Sequence, residues 1–411
     1  MTTDKLSTAQ KRARQYFRQT YKPASEHRVG MEVEHICIRA NDGQRISYDS
    51  GPGNILSLLP QLQQRLGGDL VTADGRLLGL QGAWGKITLE PGNQIEWSSP
   101  ARRTCSDLSL DLQHWLDHFQ TVLQQNDVYP LAAGLDNTDY RTTPWVPKRR
   151  YNIMKDYYRG NADVAHRAML NTAGIHINFD YEDAEDWSRK FNLLIRATPA
   201  AVALFANSAG TFHDLPYAAL RPMLWHEIDP LRSRLPGKAF HSNFTIDQWA
   251  DWIASRPLLL QQIEGDLQPG RSRRPDDLDE TEWDENWPLQ MGSMFTPVRT
   301  NGHLEVRTID NQPMDALPSV PAFWTGLLYD QTAQSQAFEV LAEVDDEDVW
   351  RGLMARGCRF GMADPQLAET ASELLHIAEN GMSRLEGDQS AAVIALRKLR
   401  SERTATQLQP A

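Results

Sequence analysis

Four short stretches of the chain alternate apolar and polar residues with the two-residue period of a half-buried strand. In Val29–Cys37 the even positions carry Gly30, Glu32, Glu34 and Ile36, and the odd ones Val29, Met31, Val33, His35 and Cys37. A pleated strand then puts both glutamates on one face and a mostly apolar row on the other. Lys86–Trp97 repeats the pattern around Pro91-Gly92, a turn or bulge signal, with Glu90, Gln94 and Glu96 at positions of the same parity. Gly174–Asp180 alternates strictly, His176, Asn178 and Asp180 opposing Ile175, Ile177 and Phe179. His303–Thr308 sets His303, Glu305 and Arg307 against Leu304 and Val306.

Elsewhere the period lengthens to that of a helix. Ser106 or Asp107 is a candidate N-cap for a run with Leu108, Leu112, Trp115, Leu116, Phe119, Val122 and Leu123 on one stripe, which reads as core. Trp187–Ser208 predicts a second helix that Pro199 should kink or split. Gly265–Trp287 is charged and carries Pro and Gly, so it reads as a surface excursion or mobile loop, placed to cover a site. Beyond Leu317 the chain reads as helical to about Arg403, with a frayed tail over 404–411.

Composition narrows the class. With 41% hydrophobic and 23% charged residues the chain matches ordinary globular proteins, and its length suits one large domain or a fused pair. A formal charge of -12 repels a phosphate backbone, so nucleic acid is not an expected partner. No apolar run reaches the length of a membrane helix, and the N-terminal MTTDKLSTAQKRAR lacks the apolar core of an export signal. The three cysteines, Cys37, Cys105 and Cys358, form no CxxC pair and read as buried small hydrophobes, which suits a reducing cytoplasm. The expected location is cytoplasmic.

The polar faces change the picture most. If the four strands share a sheet, Glu32, Glu34, Glu90, Glu96 and Glu305 converge with His176, and Arg307 stands beside the last acid. Like charges raise one another's pKa and burial adds to the cost. Hard divalent cations relieve that cost through oxygen ligands, and Mg2+ keeps substrate phosphates in its shell. A single Glu-x-Glu on an outward strand face needs no such explanation, and a lone His176 is more often structural than a ligand. Four matching strands shift the balance toward a metal and nucleotide site. Arg307 can pair with Glu305 or offer its planar fork to a phosphate.

In these residues the chain resembles the glutamate-cysteine ligases of the plant and proteobacterial type, within the glutamine synthetase-like superfamily. The matching text is GMEVEH (30–35), ITLEPGNQIEWSSP (87–100), WVPKRRYNIM (145–154), MLNTAGIHINFDY (169–181), ALFANS (203–208), WHEIDPLR (225–232) and FTPVRTNGHLEVRTID (295–310). The resemblance spans about residues 28–313 and implies an α+β fold in one catalytic domain over 1–411: a curved antiparallel sheet of about six strands, shaped into a funnel with helices outside. It implies ATP-dependent formation of γ-glutamylcysteine through a γ-glutamyl phosphate, feeding glutathione or a related thiol. Glutamate, cysteine or another amine, and ATP are the implied small-molecule partners, with Mg2+, or Mn2+ in its place, as cofactor. Carried over by position, Glu32, Glu34, Glu90, Glu96, His176 and Glu305 are the implied metal ligands. Arg307 and Asn178 fall to the nucleotide, and Arg150, Arg232 and Thr172 to glutamate, with Arg307 and Arg232 counted as catalytic. Three departures stand out: Asn93 where the family usually has glycine, His176 where it has Gln, and Met291-Gly292-Ser293-Met294 near the expected acceptor pocket. The rival readings are a ligase using a non-cysteine amine, a non-catalytic ligand-binding relative and, more remotely, a guanidino kinase of the same superfamily fold.

Overall fold

A computed structural model describes residues 6–407. Its centre is one open antiparallel sheet of eight strands: β1 (Val29–His35), β2 (Asp69–Ala73), β3 (Arg76–Gly82), β4 (Gly85–Leu89), β5 (Ile95–Ser98), β6 (Gly174–Phe179), β7 (Val298–Thr300) and β8 (Leu304–Asp310). Their spatial order is β7-β8-β6-β1-β5-β4-β3-β2. The sheet is thus wider than the expected six strands. The additional pair at one edge, β2 and β3, is joined by a turn in which Asp74 and Gly75 take left-handed backbone.

The odd-numbered face of β1 is the core face, as its period requires. Met31 and Val33 are fully buried, and His35 packs among Phe119 and Trp115, whose ring stacks on Trp97 of β5. The helix that supplies Trp115 runs Cys105–Gln125. Its N-cap is Thr104, whose hydroxyl accepts from Asp107 N–H, so the cap lies two to three residues before the candidates at Ser106 and Asp107.

Ala184–Leu204 is one unbroken helix through Pro199, not a split one. Proline removes the N–H that would reach the carbonyl four residues back. Here that carbonyl, of Ile195, accepts from the indole N–H of Trp350 at 2.7 Å, so the freed acceptor is satisfied from another helix.

Residues 265–287 are ordered, not a loose excursion. Asp266–Pro269 pairs with Leu260–Ile263, and Asp279 caps the helix Glu280–Met291 in a reciprocal box with Glu282. Trp283 and Trp287 are buried and stacked at 4.6 Å. Its charges are carried by the hairpin and turns before this helix and by the helix itself, which the buried tryptophans anchor.

The C-terminal helices Ser319–Leu328 and Pro365–Glu386 bury their apolar faces in the same continuous core as the sheet. Helix continues from Ala391 to Gln407, into the stretch expected to fray, and 408–411 lie outside the described residues. All three cysteines are buried free thiols.

Candidate active site

Strand pairing brings the acids together. β1 pairs with β5 and β6 on its two sides, setting Glu34 opposite Glu96 and Glu32 opposite His176. β8 then places Glu305 opposite Asn178. The Lys86–Trp97 stretch is a hairpin of two strands, with Leu89 opposite Ile95 and Thr88 opposite Glu96. A fold-back centred on one residue keeps parity, so Glu90, Gln94 and Glu96 stay on the β1 glutamate side. The turn needs a left-handed residue, and Asn93 supplies it with φ of 66°. Asparagine is among the few side chains that tolerate that region, which explains how it replaces the family's glycine.

A cavity of about 200 Å³ opens on this face, lined by Glu32, Glu34, Glu90, Glu96, His176, Arg150, Thr172 and Arg307, with Tyr151, Trp225 and Phe295 among its apolar walls. Among the described residues, two sets offer ligand atoms within 4.8 Å of one another: Glu32, His176 and Glu305, and Glu34, Glu96 and His176. Oxygen donors with one imidazole suit a hard divalent cation. Glu90 belongs to neither set. Its carboxylate accepts from the Tyr151 hydroxyl at 3.3 Å, on the side of the cavity where Arg150 stands.

The electrostatics divide the acids. Burial pushes Glu96 well above the ordinary carboxylate range, and the charges of Glu90, Glu32 and Glu34 push it further. Glu90 is also raised by burial and by Glu34, against the pull of Lys148. Glu305 goes the other way, because the Arg299 and Arg307 guanidinium groups overcome its burial and hold it ionised. Glu32 is lowered as well, its burial outweighed by hydrogen bonds from His176 and Asn178. The general rise that crowding predicts thus holds for Glu90 and Glu96, and is reversed where two guanidinium groups or hydrogen bonds from His176 and Asn178 outweigh burial.

His176 sits between both sets. Its Nδ1 is 3.2 Å from Glu32 Oε2, and its Nε2 is 3.4 Å from Arg221 Nη2. A guanidinium only donates, so a neutral His176 that accepts from it at Nε2 carries its proton on Nδ1, toward Glu32. It must give up one of these two arrangements to ligate a cation. Arg221 also donates to the carbonyls of Ile309 and Arg307. Its guanidinium occupies the space a side chain at position 174 would need: a Cβ on Gly174 would lie 1.8 Å from Nη2.

The remaining sequence candidates fall into different places. Arg150 lines the cavity, and its Nε is buried without an acceptor. Thr172 also lines the wall, but its hydroxyl donates to Ala168 O and accepts from the Trp225 indole. Asn178 donates to Glu32 Oε1 at 3.1 Å and does not line the cavity. Arg232 lies outside the lining: it is fully buried, and Asp229, Tyr157 and the Pro257 carbonyl take up its terminal nitrogens. Its backbone carbonyl accepts from Phe295 N–H, which ties it to the cavity wall indirectly.

A β-bulge lies beside Arg307. Between Val306 and Ile309, β8 spends one more residue than β6, and Arg307 N–H turns to Pro297 O. Its guanidinium contacts Glu305 Oε1 and borders the cavity. Sequence reasoning did not single out Arg299, Arg221, Tyr151 or Trp225, although each but Arg221 stands inside a stretch matching the family.

Residues 28–406 match the model of glutamate-cysteine ligase family 2 (GCS2). The chain is 26% identical over 382 residues to the chloroplastic glutamate-cysteine ligase A of Oryza sativa subsp. indica, covering 88% of this chain and 76% of that one. It is likewise 26% identical over 387 residues to the chloroplastic glutamate-cysteine ligase of Arabidopsis thaliana, covering 88% and 72%. In structure it is similar to a glutamate-cysteine ligase from Francisella tularensis solved in complex with AMP, with a TM-score of 0.51 at 11% identity, over 93% of this chain and 83% of that one. That likeness is one of fold.

Proposed function

Because the chain belongs to glutamate-cysteine ligase family 2, we propose that its acid-lined cavity binds ATP with a divalent cation, activates the side-chain carboxylate of glutamate and joins it to cysteine. The chain is an ATP-dependent ligase that forms γ-glutamylcysteine. The observation that carries the site assignment is the meeting of four strands, β1, β5, β6 and β8, at two ligand sets that share His176.

In this reading Glu32, Glu34, Glu96, Glu305 and His176 would hold Mg2+ or Mn2+, with Glu90 also lining the cavity. The cation, when bound, would neutralise phosphate oxygens and the charge that develops on them. Arg150 supports the placement of glutamate, since its side chain lines the cavity with a buried Nε that has no acceptor, and a carboxylate offers two oxygens. Arg307, at the cavity edge, is set to bind the nucleotide's phosphates. A glutamate carboxylate oxygen attacks the γ-phosphorus and ADP leaves. The amine nitrogen of cysteine then attacks the acyl carbon, gives up a proton, and phosphate leaves. Tyr151, Trp225 and Phe295 line the apolar wall and limit water where the acyl phosphate forms.

The test is direct. Purified protein with ATP, Mg2+, glutamate and cysteine is expected to release phosphate in step with γ-glutamylcysteine, and each omission should abolish release. Phosphate release without cysteine-dependent product, or a strong preference for a non-thiol amine, would refute the assignment.

A further inference from the structure

Glu305 is the most enclosed acid of the site, at 1% exposure, yet it lies among cations and not among water. Two arginines reach it, and they are used differently. Arg299, on β7 directly opposite Glu305, bonds within the protein through all three guanidinium nitrogens. Its Nε donates to Oε2 at 2.9 Å, and its Nη2 to Oε1 at 3.0 Å and Oε2 at 2.7 Å. Its Nη1 donates to the carbonyls of Gly292 and Met294, both at 3.1 Å. These contacts set the Nε–Nη2 edge on the carboxylate and Nη1 on the two carbonyls. Asn301, in the turn after β7, adds a bond from Nδ2 to Oε2 at 3.3 Å. Both arginines border the cavity, but among the described residues the Arg307 side chain hydrogen-bonds Glu305 Oε1 alone, through Nη1.

We propose that Arg299 is a positioning residue that fixes the carboxylate plane of Glu305 for the cation, while Arg307 is the arginine free to leave Glu305 for the nucleotide. The inference rests on the reading of Glu305 as a cation ligand. Three features support it. A bidentate fork on a carboxylate sets its orientation as well as its charge. Backbone anchors at Gly292 and Met294 keep Arg299 from following a ligand. Groups that hold a metal's carboxylate typically contribute about 10- to 100-fold to its affinity. The same anchors join Glu305 to the Met291–Met294 segment, whose sequence departs from the family and whose Gly292 lines the cavity. The orientation of the metal carboxylate and the path of that segment are therefore set by one side chain.

The experiment measures Mn2+ binding to the nucleotide-free protein by electron paramagnetic resonance, beside the steady-state dependence on Mg2+ and ATP, for Arg299→Lys, Arg307→Lys and Glu305→Gln. Arg299→Lys keeps the charge and loses the fork. It is expected to weaken Mn2+ binding about 10-fold or more, with kcat largely restored at high Mg2+. Arg307→Lys should leave Mn2+ binding within about twofold and act on KM for ATP and on kcat, since phosphate loses a bidentate partner. Parent-like Mn2+ affinity in Arg299→Lys, alongside weakened affinity in Glu305→Gln, would overturn the positioning role alone. Parent-like affinity in Glu305→Gln would overturn the reading of Glu305 as a ligand. If Arg299→Lys is poorly folded by circular dichroism, Asn301→Ala supplies the second arm, with a smaller loss of Mn2+ affinity expected and no loss refuting it.

Discussion

Two acids of one site should respond oppositely to the same substitution. Glu96 is raised well above the carboxylate range by burial and by three neighbouring carboxylates, with the Thr88 hydroxyl at 2.6 Å as its partner. Glutamine at 96 keeps an oxygen for that hydroxyl and removes a charge the metal-free fold disfavours, so Glu96→Gln should stabilise the metal-free protein by about 1 kcal/mol. Glu305 neutralises Arg299 and Arg307, both enclosed beside it. Removing one partner of a buried ion pair costs about 3–5 kcal/mol, so Glu305→Gln should destabilise by about 3 kcal/mol without a change of volume. The assay is urea unfolding followed by tryptophan fluorescence, with EDTA present, at pH 8 and pH 5. Because the raised Glu96 holds its proton in the fold where the unfolded chain has lost it, its penalty grows as pH rises above the ordinary carboxylate range. The Glu96→Gln gain should therefore be larger at pH 8. Glu305, held low, contributes above that range and loses its contribution only as pH falls toward its depressed value, so its loss should be seen at both pH values. Both substitutions should abolish phosphate release. Shifts of the same sign, or a Glu305→Gln protein as stable as the parent, would refute the division of the site into uncompensated and compensated acids.

Cation binding should release protons, because the raised Glu96 must ionise to receive it. Calorimetry in two buffers of different ionisation enthalpy should show this release, with Mg2+ affinity rising with pH, and a pH-independent affinity would contradict it. His176→Gln, which can still accept from Arg221 and donate to Glu32, should change stability by under about 1 kcal/mol and keep turnover. His176→Ala leaves both neighbours unanswered and should cost about 1–3 kcal/mol in unfolding assays. Trp350→Phe strands the Ile195 carbonyl and should cost about 1–3 kcal/mol. Pro199→Ala restores a backbone donor to that carbonyl, so a double-mutant cycle by urea unfolding should show the Trp350→Phe cost reduced in its presence, and strict additivity would refute the compensation.

The period-2 text of β1, β6 and β8 determined which side chains share a face, because alternation follows from the pleat alone. Parity carried Glu90, Gln94 and Glu96 through the hairpin without knowledge of the turn, and the helical stripe ending at Leu123 faces the core as its period requires. Where local text misled, the deciding partner came from far along the chain. Pro199 does not break its helix because Trp350 answers the freed carbonyl. The acidic run before Trp287 is ordered because two tryptophans on its helix are buried.

The sequence by itself named the acids and the strands that carry them, since composition and parity are properties of short segments. Only the tertiary structure decided how those acids differ. Register set two arginines against Glu305, left Glu96 with a hydroxyl, and parted Glu90 from the ligand sets. The fold also buried Arg232 beside Asp229 while leaving Arg150 open to the cavity. A charge's state depends on what stands within a few ångströms of it, and those neighbours are brought there by strand pairing between segments far apart in the chain.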